Sequence, residues 1–215
     1  MNESPAKGTM LRRVLFAVLA LAVLALVGAV VMLVPILTHE SAGDSGQQVP
    51  EGFATQATAT GADGRTRTLS LTATDGTEID PSQLQPGDEL LVHGTGFDSD
   101  IGIYVSICAV PEIAHEKPTP CLGGLPEGAM DGEAAGRDTF ESSIWITNDW
   151  AWSAFATKRF DDAATGSFEA RLLVPAATQE GLDCTVTRCA VTTRADHTAS
   201  SDRVQDMQLP VGFSQ

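Results

Sequence analysis

The chain has 215 residues, 13 Lys and Arg against 28 Asp and Glu, a formal charge of −15 and 43% hydrophobic residues. Such a length holds one ordinary domain plus accessory segments, and the acidity excludes nucleic acid, because phosphate binding needs clustered Lys and Arg. It also excludes docking of the acidic part on an anionic lipid surface. A mean hydropathy of +0.03 beside so much charge is the average of two unlike pieces.

The first piece is residues 14–37 (VLFAVLALAVLALVGAVVMLVPIL), a run without any charged or strongly polar side chain. At ~1.5 Å rise per residue it forms a helix of roughly 36 Å, enough to cross a hydrocarbon core of about 30 Å. A helix suits lipid because its backbone hydrogen bonds are satisfied internally. A cleaved signal peptide is the rival, but its apolar region usually runs only ~7–15 residues. No convincing small-x-small cleavage site follows Pro35, and no cysteine is placed for lipid attachment. The run therefore reads as an uncleaved single-pass anchor; a buried soluble helix would need a polar face, which is missing.

Lys7, Arg12 and Arg13 precede the span, and His39, Glu40 and Asp44 follow it. The positive-inside rule places residues 1–13 in the cytoplasm and the chain from residue 38 outside the membrane. Residues 1–37 carry three basic and one acidic residue, leaving ten basic and 27 acidic beyond them, a net of −17. Residues 38–67 are rich in Ala, Thr, Gly, Ser and Gln, with Phe53 and Val49 as the larger apolar side chains. No period of 2 or 3.6 is sustained there, so the segment reads as a flexible linker to a domain at 68–215.

From Leu69 the pattern becomes short strands divided by turn residues. LSLTAT (69–74) ends at Asp75-Gly76, and ELLVHG (89–94) lies between Pro86-Gly87-Asp88 and Gly94-Thr95-Gly96. IGIYVSICA (101–109) alternates, with Ile101, Ile103, Val105 and Ile107 on one face and Gly102, Tyr104, Ser106 and Cys108 on the other. WAWSAFATKRF (150–160) is a weaker strand. SFEARLLVP (167–175), CAVTTR (189–194) and RVQDMQLPV (203–211) complete about seven strands. No helical stripe of useful length follows residue 40, so the fold class is all-β, a seven-stranded antiparallel sandwich.

Two cysteine pairs are close in sequence, Cys108 with Cys121 and Cys184 with Cys189. An outward-facing domain meets oxidising conditions, so two local disulfides are expected. A zinc site is the alternative; its C-x4-C spacing and the lack of a second compact pair speak against it, and no metal site is expected.

Trp145, Trp150, Trp152 and Phe155 gather all three tryptophans in one short stretch. They form either an aromatic wall for a ligand or a covering for the core edge. His93, His115 and His197 are scattered, without a metal or haem spacing, and read as ordinary surface or strand-end residues. Asp98, Asp100 and Asp161-Asp162 read as turn formers. No nucleophile elbow, zinc-protease helix or phosphate loop is present, and the reading is of a protein that is not an enzyme and takes no cofactor.

Several of these residues resemble the neocarzinostatin family, apoproteins that carry enediyne chromophores. The matching pieces are Gly94-Thr95-Gly96-Phe97, Tyr104-Val105-Ser106-Ile107-Cys108-Ala109 and Ala164-Thr165-Gly166-Ser167-Phe168. The most specific is Asp183-Cys184-Thr185-Val186-Thr187-Arg188-Cys189-Ala190-Val191, with its C-x4-C spacing. The similarity covers roughly residues 69–213, with an insertion between about 110 and 150. It implies an immunoglobulin-like sandwich of seven strands, two local disulfides, and a bulky apolar ligand held on the outer face of one sheet.

On that face Tyr104 and Ser106 become candidate ligand contacts beside Cys108, with Gly102 leaving the face open. The chain departs from the family at Val110, where an aromatic residue follows the first Cys-Ala, and at Ala190, where a glutamine follows the last cysteine. The expectation is a membrane-anchored, extracytoplasmic module binding a hydrophobic small molecule or an envelope protein. The alternative is a structural or protein-interaction module of the envelope without a small-molecule pocket.

Overall fold

The computed structural model describes residues 6–113, 115–126, 128, 136, 139–179 and 181–214. It divides the chain into two compact units, Met1–His39 and Glu40–Gln215. The first unit is one helix, α1, over Ala6–Thr38, which begins ahead of the apolar run and takes in Lys7, Arg12 and Arg13. Its stretch Thr9–Thr38 is long and apolar enough to cross a membrane. Pro35 lies inside its last turn, where its missing N–H leaves the Val31 carbonyl without its intrahelical donor, and the Thr38 hydroxyl donates to the Val34 carbonyl at 2.7 Å.

The second unit is an antiparallel β-sandwich, with ten strands in three sheets among the described residues rather than seven strands. The first sheet orders β1 (Gln56–Thr60), β2 (Thr66–Ala73), β3 (Glu89–Thr95) and β6 (Phe168–Leu173) as β1-β2-β3-β6. The second orders β4 (Ile103–Ala109), β5 (Ser143–Ile146), β9 (Cys189–Ala195) and β10 (Met207–Val211) as β10-β9-β4-β5. A two-residue ribbon, β7 (Thr178–Gln179) with β8 (Leu182–Asp183), leads into the second disulfide. Both expected disulfides, Cys108–Cys121 and Cys184–Cys189, are formed.

Period-2 alternation explains the core. Leu69 and Leu71 of β2, Leu90 and Val92 of β3, and Phe168, Ala170 and Leu172 of β6 point inward. They meet Ile103, Val105 and Ile107 of β4, Val191 of β9, and Met207 and Leu209 of β10. Burying each such side chain is worth about 1.5–3 kcal/mol, which makes this layer the main source of stability. Glycine is needed where β3 turns out of the sheet: at Gly96 (φ +80°) a Cβ would lie 1.9 Å from the Thr66 carbonyl oxygen.

The two sheets differ on their outer faces. β2, β3 and β6 alternate between buried and partly or fully exposed residues, as expected of a sheet with one wet side. In the second sheet β5 and β10 are buried at every residue, β4 at all but Tyr104 and β9 at all but Arg194. Something covers that outer face.

Part of the cover is the segment expected as a flexible linker. Instead of a free tether, residues 38–67 contain all of β1 and the first residues of β2. The Ala42 N–H donates to Asp202 Oδ2 at 3.2 Å, and Asp44 bridges to Arg203. Gln47 clasps β10 twice, accepting from the Gln208 N–H at 2.7 Å and donating to the Gln208 carbonyl at 2.6 Å. Arg67, fully buried, places its guanidinium 2.5 Å from Asp63 Oδ2 and 2.8 Å from Gln205 Oε1. Small and polar residues hide this role because their anchoring comes from hydrogen bonds to distant positions and not from an apolar pattern.

The strand expected over 150–160 is a turn. The Asp149 carboxylate accepts from the Ala151 N–H at 2.7 Å and its carbonyl accepts from Ser153 at 2.8 Å, which coils the chain away from an extended path. The edge strand of the second sheet is instead β5, whose Ile144 and Ile146 fill the core between polar serines and threonines.

Candidate functional site

The outer face of the second sheet has an aromatic end, a closed centre and a polar end. At the aromatic end, register sets Tyr104 of β4 opposite Trp145 of β5 on one side and Arg194 of β9 on the other. The Tyr104 and Trp145 rings are 5.7 Å apart, and the Arg194 guanidinium sits 5.7 Å over the Tyr104 ring. Trp152 lies 6.3 Å from Trp145, and His197 packs edge-on against both, at 5.1 Å and 4.6 Å. Phe155 follows at 6.4 Å from Trp152.

This cluster is held from beneath by Asp196, which is buried. Its Oδ2 accepts from the Trp145 indole N–H at 2.9 Å, and its Oδ1 accepts from the Thr198 N–H at 2.8 Å. The approach depends on Gly102, where a Cβ would lie 2.0 Å from Asp196 Oδ2. Burial, then the Asp196 charge, pushes the Tyr104 phenol up to about 12, so it is neutral and hydrogen-bonds His197 Nδ1 at 3.2 Å. Of the candidate aromatics, Trp145 is buried, Trp152 is half-buried, Phe155 stands at the rim and Trp150 is 76% exposed, outside the cluster. The Trp150–Trp152 alternation expected of a strand does not occur, because the turn separates the two rings.

The centre is closed. Ser106, expected on an open face, is 2% exposed; its hydroxyl lies 3.2 Å from Cys108 Sγ, and the Thr192 hydroxyl donates to the same sulfur at 3.1 Å. The covering is the start of the insertion. Residues 120–122 extend the sheet beside β4, with the Ala109 N–H donating to Pro120 at 2.9 Å and the Leu122 N–H to Ile107 at 2.8 Å. Ahead of them the chain crosses the face, where Arg194 Nη1 donates to the Pro118 carbonyl at 3.3 Å. Ser106 is therefore a structural contact beneath the first disulfide. Much of the insertion beyond residue 126 lies outside the described residues.

The polar end is a cleft of about 190 Å³ between residues 44–49, residues 110–113 with 115–116, and the start of β10. Arg203, Asp206, Gln208 and His115 are on its wall, with Glu112 and Glu116 at its rim. Asp206 Oδ2 accepts from Arg203 Nη1 at 2.8 Å and the carboxylate is also drawn on by the Ala195 N–H, while Oδ1 is buried and makes no bond of ordinary geometry. Gln208 Oε1 and Arg194 Nε share that condition on the same face. Burial pushes the Asp206 carboxyl up to about 7 against the pull of Arg203. Lys117, half-buried in the covering loop, is held below the usual lysine range by burial and by Arg194 and Arg203 beside it.

None of Arg194, Arg203, Asp206 and Gln208 was marked by the sequence, where they are simply members of the strands read at 189–194 and 203–211. A faint signal was there: four of the outer domain's ten basic residues, Lys117, Arg188, Arg194 and Arg203, come from the covering loop and the β9–β10 region. Of the histidines, only His197 joins the aromatic cluster; His93 lies 3.7 Å from Glu169 on the first sheet, and His115 lies 3.6 Å from Asp44. Among the described residues no group of three or more His, Cys, Asp or Glu side chains is placed to hold a metal. A shallower hollow of about 390 Å³ lies beside the second disulfide, bordered by Phe53, Val186 and Phe213.

No protein-family model matches the chain. Thiamine biosynthesis protein X of Corynebacterium glutamicum is 29% identical over 136 residues, which is 63% of this chain and 61% of that protein. The chain thus spans about three fifths of the length of that relative. The solved structure of macromomycin is 18% identical, with a TM-score of 0.34, covering 67% of this chain and 98% of its own.

Proposed function

We propose that the chain is a membrane-anchored, extracytoplasmic binding module that holds a small molecule on the roofed outer face of the second sheet. The observation that carries this reading is the polar cleft with buried side-chain oxygens left without partners. A buried polar group without a hydrogen bond costs about 1–3 kcal/mol, and a purely structural domain gains nothing by keeping two of them beside a cavity. The resemblance of the strand motifs to the neocarzinostatin family supports a ligand on this same face. The closed centre and the polar wall shift the ligand from a bulky apolar compound to a small polar one.

The apolar helix α1, with basic residues ahead of it and two disulfides in the second unit, supports a single N-in span with the sandwich outside. The role is binding without catalysis. The name of the Corynebacterium glutamicum relative makes thiamine and its pyrimidine and thiazole precursors the first compounds to titrate. Thermal shift of the full chain in nanodiscs tests the reading, with intrinsic fluorescence of Trp145 and Trp152, at the other end of the same face, as a second readout. Saturable responses to a member of a broad small-molecule panel are expected, and silence across the panel refutes a small-molecule role. A second reading rests on the exposed Trp150 and the rim position of Phe155, which suit an envelope protein; a reproducible cross-linked partner, unaffected by any ligand, would favour it.

A further inference from the structure

The open hydrogen-bonding positions on the cleft wall are acceptors. Asp206 and Gln208 are 5% and 8% exposed, and each keeps one side-chain oxygen without a partner. Asp206 immediately precedes β10, Gln208 is its second residue, and both line the cleft, so one small nitrogen-bearing head group can address the two together. The cationic side chains of the wall, by contrast, are already engaged. Arg203 donates from Nη1 to Asp206 and from Nη2 to the Ser200 carbonyl at 2.5 Å. Arg188 donates to the Pro50 carbonyl, and His115 Nδ1 lies 3.6 Å from Asp44 Oδ2.

We infer that this cleft takes a small organic cation, its ammonium or amidinium group set against Asp206 Oδ1 and Gln208 Oε1. The inference rests on the binding-module reading and adds the charge and head-group class of the ligand. A charge-assisted hydrogen bond to a buried carboxylate is about twice as strong as a neutral one, so the cation is where most of the affinity lies. An anion placed there would meet the Asp206 carboxylate. Glu112 and Glu116 at the rim, and the net −17 of the chain beyond residue 37, draw cations toward the opening.

The test is calorimetric titration of the full chain in nanodiscs at pH 8 with three probes of one shape, benzamidinium, benzamide and benzoate. Benzamidinium is expected to bind at least tenfold tighter than benzamide, with benzoate weakest, and Asp206→Asn is expected to erase that preference. Where Asp206→Asn fails to fold, Gln208→Leu serves, and a loss of several-fold in benzamidinium affinity is expected. Equal binding of benzamide and benzamidinium, or tightest binding of benzoate, overturns the cation assignment while leaving the binding-module reading standing. Silence from all three probes, with a neutral or anionic compound of the broader panel binding, also overturns the assignment alone. Silence across every compound overturns both.

Discussion

Asp206→Asn separates the cost of ionising a buried carboxyl from everything else the residue does. In the folded chain this carboxyl is pushed from 3.8 up to about 7, chiefly by burial and despite Arg203 at 2.8 Å. Between those values the folded state keeps a proton that the unfolded chain releases, so stability falls as pH rises through this window. Each unit of difference is worth about 1.4 kcal/mol, so a shift of roughly three units amounts to about 4 kcal/mol between pH 4 and pH 8. Asparagine resembles the protonated acid and cannot ionise, so the variant escapes that loss. Urea unfolding of both proteins at half-unit pH steps measures the difference directly. Losing the Arg203 contact adds an offset, and the histidine titrations cancel in the comparison. The stability of Asp206→Asn relative to the parent is expected to climb by several kcal/mol from pH 4 to pH 8. A difference that stays flat across that range would refute the reasoning.

Asp63→Ala leaves the fully buried Arg67 guanidinium without its carboxylate and is expected to cost about 3–5 kcal/mol by chemical denaturation. Partial burial pushes the Asp63 carboxyl up, but the Arg67 hydrogen bonds, the Arg65 N–H and the two arginine charges together hold it below its ordinary range, so this contribution disappears only on strong acidification. Gly102→Ala drives a Cβ into Asp196 and is expected to cost about 1–3 kcal/mol, with a loss of near-ultraviolet dichroism as Trp145 shifts. Replacing Cys108 and Cys121 by serine opens a loop with a sequence separation of 13 and is expected to lower stability by roughly 3 kcal/mol, read as a lower thermal midpoint. A chain beginning at residue 68 loses β1 and Arg67 and is expected to unfold well before one beginning at residue 40; equal midpoints would restore the tether reading.

What the sequence alone determined was whatever depends on neighbours along the chain. The apolar run, the strands β2, β3, β4, β6, β9 and β10, the turns at Asp75-Gly76 and Pro86-Gly87, and both local disulfides could be read this way. Each is written as period, turn chemistry or short spacing, and each folds much as written. What escaped was built from distant pairs. QATAT of β1 carries little apolar signal and is a strand because Thr66–Ser70 lies beside it. SIWI was passed over for the more aromatic WAWSAF, which Asp149 coils into a turn. Tyr104 and Trp145 were legible as candidates, but only register places them ring to ring. Ser106 looked open from its alternation, yet a loop returning through Pro118 to Cys121 seals it. The tertiary structure alone decided that Asp206, just ahead of β10, and Gln208, within it, lie beside residues 44–49, 110–113 and 115–116. Alternation tells which side of a sheet a residue takes, but whether that side meets water is settled by segments far away in the chain.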